Sequence, residues 1–251
     1  MKNLTNKQIN ALVKQLESLN FKVFTKPFEL NIVGERKDST NANSFDDKLF
    51  VFWKNDNKNW EGKEYQITTD PGTYWLKNPM NVSGTAILKA GQYINSHKLG
   101  YHKGQYKALV QSNPLTVFRD YDRNAILDFN NGKEQTGLFG INIHKASNVT
   151  SEVNKWSAGC QVFKNADDFQ NFMELAEKHK EKNGDNFTYT LFDERASNRA
   201  FKRGLTYQGL IIIGAIAYIV YRKYKKLPVI PKSLKKYFSG FDLRSHVHVS
   251  Q

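Results

Sequence analysis

The sequence contains a single cysteine, Cys160, among its 251 residues. One thiol cannot form an intramolecular disulfide, so a packed core has to hold the fold together. No segment repeats at a fixed period, and 39% of the residues are hydrophobic and 13% aromatic, which excludes disordered and collagen-like chains. The length predicts one good-sized domain with additions, or two small domains.

Acidic residues are almost missing from the C-terminal part of the chain. After residue 198, eleven Lys and Arg accompany one acidic residue, so this tail holds ten of the thirteen net positive charges. The body of the protein is therefore nearly neutral, and we do not expect nucleic acid as a partner. A basic protein whose tail binds membranes or nucleic acid remains an alternative, because anionic lipid and phosphate both attract such a tail.

Residues 205–221 carry no charge over 17 positions, and Lys and Arg flank them on both sides. A helix needs about 17 to 25 apolar residues to cross a bilayer, and tyrosines near both ends of this segment suit the membrane interface. The sequence predicts a transmembrane helix over 205–221, after a basic linker at 196–204 and before a basic tail at 222–251. A buried core helix or a pair of strands is the alternative.

Residues 1–24 are predicted to form an amphipathic helix and a connector. No apolar stretch of signal-peptide length occurs in this segment, so we expect no cleavable signal peptide. Thr5 and Gln8 fit a capping box at the start of the helix. Its apolar residues recur at helical spacing: Ile9, Leu12, Val13, Leu16 and Leu19.

Short runs of β-branched and aromatic residues separated by turn residues dominate the following part of the chain. The predicted strands are 30–33, 49–53, 65–68, 86–89, 115–119, 125–129, 138–144, 161–163 and 187–192. A second helix is expected to begin after Asn165, which can cap it, and to end at Gly184. We predict a mainly β domain over 25–195, with a sandwich or barrel-like sheet and flanking helices.

The residues best suited to catalysis are His144, at the end of an apolar strand, and Cys160, after a polar loop. A thiol with an ordinary pKa is mostly protonated at neutral pH, so a nucleophilic cysteine needs a base. The small residues before Cys160 let a substrate carbonyl approach the backbone, and the amides of Gly159 and Cys160 are candidates for an oxyanion hole. The alternative is a buried cysteine at a strand start and an unrelated histidine.

His144 followed by Ser157, Gly159 and Cys160 resembles the signature of the L,D-transpeptidase catalytic domain, also called YkuD-like. The resemblance covers about residues 29–163. Its most specific part resembles a bacteriophage and gut-bacterial group, and it is carried by three stretches: 142–144, 156–163 (WSAGCQVF) and 68–75 (TTDPGTYW).

This resemblance implies that Cys160 is the acyl-accepting nucleophile, His144 its base and Ser157 part of the turn that presents the cysteine. The Gly159 and Cys160 amides would hold the oxyanion, and catalysis would require no cofactor. The implied reaction is acyl transfer or hydrolysis on peptidoglycan stem peptides. The chain would be anchored by its C-terminal helix and face the cell wall, or be carried in a virion as a phage lysis or cell-wall enzyme.

Four positions depart from the family pattern. Gln161 and Val162 replace the usual apolar residue and Asn or Arg after the cysteine. Ala158 stands where the family usually has His, and Lys145 follows the base where Gly is common. A catalytically silent protein that binds peptidoglycan, or a structural part of a virion, is therefore an alternative. His102 and Trp156 are candidates for lining the cleft, but a surface hairpin residue and a core aromatic are the preferred interpretations of these two positions.

A second motif places oxygen-bearing side chains at alternating positions: Asp120, Asp122, Asn124 and Asp128. This spacing matches positions 1, 3, 5 and 9 of an EF-hand-like loop and predicts a structural Ca²⁺ site. Ala125 replaces the usual glycine of that loop, and an acidic turn between two strands is the alternative. Six scattered histidines and one cysteine provide no zinc site within the body of the chain.

Overall fold

The computed structural model describes residues 1–129, 134–147 and 150–195, which belong to one compact unit, Met1–Ser197. The predicted linker at 196–204, transmembrane helix at 205–221 and basic tail at 222–251 lie outside the described residues. Within the described ranges, no helix is both long enough and apolar enough to cross a membrane.

The helices and strands follow one another along the chain in this order. They are β1 (Lys2–Asn3), α1 (Asn6–Ser18), β2 (Asn31–Arg36), β3 (Asp47–Lys54), β4 (Trp60–Thr68), α2 (Thr73–Lys77), β5 (Thr85–Leu88), β6 (Gly91–His102), β7 (Tyr106–Gln111), β8 (Leu115–Asp120), β9 (Gln135–Gly137), β10 (Ile143–Lys145), β11 (Gln161–Phe163), α3 (Ala166–Asn183) and β12 (Phe187–Asp193).

In the described part of the chain, nine strands form one sheet in the order β1-β4-β11-β10-β7-β6-β12-β2-β3. Strand β3 also pairs with β4 along its full length, so the eight strands other than β1 close into a ring. Strands β5, β8 and β9 form a separate three-stranded sheet. The predicted mainly β architecture is confirmed, in its barrel-like form.

The largest core cluster fills the inside of this ring and is covered by α3. Phe169 and Phe172 of α3 pack on Phe163 of β11, with ring centroids 5.4 and 5.1 Å apart. As predicted, Asn165 caps α3, because its side-chain oxygen accepts from the Asp167 and Asp168 amides. Helix α3 connects β11 to β12. Through its contacts with Phe163 it packs on β11, the strand that follows Cys160.

The N-terminal helix packs on another face of the same sheet. Its predicted capping box between Thr5 and Gln8 is present. The buried stripe Ile9, Leu12 and Leu16 contacts apolar residues of β2, β3 and β12. Helix α1 is therefore part of the same compact unit as the strands.

The strand prediction was wrong in several places. Residues 125–129 form no strand, because the side chains of Asn124 and Asp120 accept from the Ile126 and Asp128 amides and replace ladder partners. The hairpin of β6 and β7 was not predicted, since its polar side chains hide the alternation of a strand. Strand β10 begins at Ile143, later than the predicted start at 138.

Candidate active site

Strands β10 and β11 are parallel neighbours, and their register brings His144 and Cys160 together. Ile143 is paired with Gln161 and His144 with Val162. Cys160 directly precedes β11 and lies beside Asn142, whose amide donates to the Cys160 sulfur at 3.4 Å. Since partners in a parallel pair project to the same face and alternate along each strand, Cys160 and His144 share one face.

The Cys160 thiol is half-buried and neutral. Its sulfur accepts from the Asn142 amide and donates toward the Gly140 carbonyl, also at 3.4 Å. Burial raises the pKa of the thiol to about 11, against a smaller lowering by the Asn142 amide. At neutral pH this thiol can act as a nucleophile only if a base removes its proton during attack.

His144 is a neutral base with a defined tautomer. Its Nδ1 lies 3.0 Å from the Lys145 carbonyl oxygen, which can only accept, so Nδ1 carries the proton and Nε2 carries the lone pair. The Tyr106 hydroxyl donates to the same carbonyl at 3.2 Å. Burial, and next the neighbouring His102, lower the pKa of His144 to about 3.

Among the described residues, His144 and Cys160 make no hydrogen bond with each other. The thiol proton instead points toward Gly140. In proteins without substrate, catalytic hydrogen bonds are often long and shorten only when substrate binds. The site therefore contains a neutral base and a neutral nucleophile on one face, rather than a preformed ion pair.

His102, at the end of β6, lies against the base. Its ring stacks on the His144 ring with centroids 3.9 Å apart and planes inclined by 20°. The Gln111 amide donates to Asn142 Oδ1 at 2.9 Å, which leaves Asn142 Nδ2 to donate to His102 Nδ1 at 3.2 Å. His102 is therefore neutral and buried, not an exposed hairpin residue, and its burial lowers its pKa.

Ser157 and Gly159 shape the turn before the nucleophile. The fully buried Ser157 hydroxyl donates to the Cys160 carbonyl at 2.8 Å and accepts from the Gly159 amide at 3.1 Å. Gly159 has φ of +117°, and a Cβ there would collide with the Ala86 carbonyl oxygen, so only glycine fits. The Gly159 amide already donates to the Ser157 hydroxyl, so it is not available to an oxyanion. The Cys160 amide donates to no acceptor among the described residues, and it is therefore the available oxyanion donor.

Segment 68–75 packs directly on the loop before Cys160. The Gly72 amide donates to the Ser157 carbonyl at 2.9 Å, and Trp75 Nε1 donates to the Lys155 carbonyl at 3.0 Å. A Cβ on Gly72 would collide with the Asn154 backbone. The sequence stretches that carry the resemblance to L,D-transpeptidases are therefore in contact, although about eighty residues separate them along the chain.

A cavity of about 280 Å³ lies beside this turn, on the Ala158 side. Its walls include Trp75, Ala86, Arg119, Phe139 and Ala158. The Arg119 guanidinium donates to Gln135 and to the Gly84 carbonyl and lies 5.0 Å from the Phe139 ring centroid. Within the described ranges Arg119 forms no salt bridge, so the cavity wall holds a cation without an acidic partner. No sequence motif indicated this residue.

Three of the four predicted calcium ligands lie together. Asp120, Asp122 and Asp128 each present a carboxylate oxygen, and these atoms lie within 4.8 Å of one another. Asn124 instead donates to Asp122 and accepts from the Ile126 amide. Trp156, the other proposed cleft residue, is 41% exposed and is not part of the core.

No family model, no curated protein and no solved structure matches this chain. The likeness to L,D-transpeptidases therefore depends on the residues themselves. It rests on the motif of His144, Ser157, Gly159 and Cys160 and on the stretch 68–75, and it stays a prediction. A functional assignment has to be argued from this geometry.

Proposed function

We propose that this protein uses Cys160 for acyl transfer or hydrolysis on peptidoglycan stem peptides. The observation that carries the proposal is the position of a neutral thiol beside Asn142, on the same face as a neutral His144 whose Nε2 is free to accept a proton. The free amide of Cys160 adds a donor for the oxyanion. The likeness of the motif to L,D-transpeptidases supplies the substrate class.

In the proposed reaction, a stem-peptide carbonyl carbon bonds to the Cys160 sulfur while His144 Nε2 takes the thiol proton. The Cys160 amide donates to the oxygen that becomes negative. The Lys145 carbonyl accepts from Nδ1 and stabilises the imidazolium that forms. Collapse of the tetrahedral intermediate breaks the carbon–nitrogen bond, and the leaving amine takes the proton from Nε2.

The product of this first half is a thioester on Cys160. Water that attacks it gives a carboxypeptidase or endopeptidase, and an amine of a second stem peptide gives a transpeptidase. In either case His144, again neutral, takes a proton from the attacking group, the carbon–sulfur bond breaks, and His144 returns the proton to the departing Cys160 sulfur. The acceptor that reaches the thioester decides between the two activities.

The cavity beside Ala158 suits the departing end of such a peptide. A C-terminal D-residue carries a carboxylate, and the Arg119 guanidinium has planar donors that recognise carboxylates. The Trp75 and Phe139 side chains offer apolar walls to the residue's side chain. We place the leaving D-residue in this cavity, and the proposed membrane helix at 205–221 would keep the site at the envelope.

A second candidate is a protein that binds stem peptides without turning them over. It is favoured by the orientation of the Cys160 thiol toward Gly140 and by the pKa of about 11. Ala158 also replaces the histidine that the family usually has in the turn. In this case the cavity and Arg119 keep their binding role, and Cys160 is a buried filler.

The two candidates differ in product formation. Full-length protein would be incubated with purified muropeptides, and the products analysed by mass spectrometry for wild type, Cys160→Ala and His144→Ala. We expect shortened or cross-linked stem peptides from wild type and at least a hundredfold less from either variant. Lys98→Ala, a change at an exposed position on β6, is the matched control and should keep wild-type activity.

Because Cys160 is the only cysteine, a carbapenem-type inhibitor should add one acyl group to wild type and none to Cys160→Ala. Product from Cys160→Ala equal to wild type would overturn the proposed nucleophile. Folded wild-type protein that binds muropeptides but yields neither product nor acyl adduct would favour the binding protein.

A further inference from the structure

An acidic cluster at the end of β8 has the dimensions of a cation site. One carboxylate oxygen from each of Asp120, Asp122 and Asp128 lies within 4.8 Å of the other two. Calcium binds oxygen ligands at about 2.3 to 2.6 Å, so two ligands on opposite sides of one ion are up to about 5 Å apart. The three oxygens therefore fit around a single calcium ion.

The second observation is an unsatisfied oxygen inside the cluster. Asp120 is fully buried, and its Oδ2 accepts from the Asp128 amide at 3.0 Å. Its Oδ1 is also buried and has no hydrogen-bond partner among the residues that the structure describes. A buried carboxylate oxygen needs a donor or a cation, so its position within an acidic cluster points to a bound cation.

The local charge balance agrees with this. In the described part of the chain, no Lys or Arg forms a salt bridge with Asp120 or Asp122. A bound cation would offset the charge of these clustered carboxylates.

We propose that Asp120, Asp122 and Asp128 bind a calcium ion. All three ligands are hard oxygen donors, and no His or Cys takes part, which excludes a zinc-type ligand set. Asp122 is exposed, so water can complete the coordination sphere that calcium needs. Magnesium requires a regular octahedron of ligands with shorter metal–oxygen distances than calcium. A loop with three widely spaced carboxylates suits calcium better.

The position of the site links it to the catalytic turn. Asp120 is paired with Thr85 at the start of β5, and Ala86 of β5 provides the carbonyl that contacts Gly159. Thr85 and Ala86 also line the cavity beside Ala158. Calcium at Asp120 would therefore stabilise the strand pair that supports this turn, whether or not the chain is an enzyme.

The test uses full-length protein treated with a chelator and then titrated with CaCl₂. We expect calcium to raise the unfolding temperature and to give a saturable binding signal in calorimetry, with Asp122→Asn weakening the affinity at least tenfold. Asp122 is exposed, so this variant should remain folded in chelator. Asp56→Asn, which removes an exposed carboxylate outside the cluster, is the matched control and should bind calcium like wild type.

Terbium provides an independent signal, because Tyr121 lies between two of the proposed ligands in the sequence. Tyrosine-sensitised terbium emission should appear with wild type, fall in Tyr121→Phe and be displaced by calcium. Absence of calcium binding by wild type, or equal binding by Asp122→Asn, would overturn the proposal. Magnesium that competes at equal concentration would overturn the choice of calcium. None of these results depends on muropeptide turnover.

Discussion

Burial determines the protonation of the two residues proposed to react. A thiol with a pKa of about 11 is ionised in about one molecule in ten thousand at pH 7. A histidine whose pKa is lowered to about 3 is mostly neutral above about pH 4. Proton transfer from Cys160 to His144 therefore has to accompany attack rather than precede it.

The neutral state of Cys160 and His144 predicts how the rate of Cys160 alkylation depends on pH. The iodoacetamide rate at Cys160 should rise about tenfold per pH unit from pH 7 to about 10, because the thiolate fraction rises in that proportion below the thiol pKa. The rate would be measured by intact mass spectrometry, with Cys160→Ala as the blank. A plateau that begins near neutral pH would contradict the neutral pair and indicate a thiolate stabilised by imidazolium.

At the scale of elements, the turn before the nucleophile depends on contact between distant segments. Gly159 fits beneath the Ala86 carbonyl of β5, and Ser157 accepts and donates within the turn. Strand β5 belongs to the small sheet, whereas β11 belongs to the closed sheet. The turn is therefore held where the two sheets meet.

Gly159→Ala tests this packing. The new Cβ would collide with the Ala86 carbonyl and would also strain a residue with φ of +117°, so we expect a loss of about 2 to 4 kcal/mol in the free energy of unfolding. Gly104→Ala is the matched control, because φ there is +70° but nothing lies within 4 Å. Gly104→Ala should lower the free energy of unfolding by only about 1 kcal/mol. Urea unfolding measures both, and equal losses would contradict a role for the Ala86 contact.

The helices and the closed sheet were predictable where one face is apolar and the caps are regular, as in α1 and α3. The pair of His144 and Cys160 was predictable because residue type and order are enough to suggest a nucleophile and a base. His102 was predicted only as a candidate for lining the cleft. Its stacking on His144 and the position of Arg119 were not predictable, because they depend on pairing between strands far apart in sequence. The strand predicted at 125–129 failed because periodicity does not reveal competing hydrogen bonds from Asn and Asp side chains.

At the scale of the whole molecule, one buried cation connects the two sheets. Arg36 of β2 is fully buried, lies 2.8 Å from an Asp70 carboxylate oxygen and donates to the Leu88 carbonyl of β5 at 2.8 Å. It also donates to Thr69, in the segment 68–75 that contacts the turn before Cys160. A change at Arg36 would leave buried carboxylates without their partner and would act on the entire fold.

His97 gives the most direct pH test of the whole fold. It is fully buried, with Nδ1 2.8 Å from the Ser96 hydroxyl and Nε2 2.9 Å from the Ile141 carbonyl oxygen. Burial lowers its pKa to about 4, whereas the unfolded chain has the ordinary value of about 6.5. The unfolded state therefore binds the extra proton, and stability present above pH 6.5 is lost as the pH falls toward 4.

Asp47 acts in the opposite direction over the same range. Burial, followed by the charge of Asp70, raises its pKa to about 7, so the folded state gains a proton as the pH falls. Comparison with a His97 variant removes this contribution, because Asp47 is present in both proteins. His97→Gln keeps a polar side chain but does not titrate.

Between pH 7.5 and 4.5, wild type should lose about 2 to 3 kcal/mol more of its unfolding free energy than His97→Gln. Urea unfolding at both pH values measures this difference, which is independent of the variant's own loss of stability at pH 7.5. Parallel pH profiles for the two proteins would show that His97 titrates alike in the folded and unfolded states. That result would contradict its burial between Ser96 and Ile141, the contact by which β6 meets the segment before the proposed base.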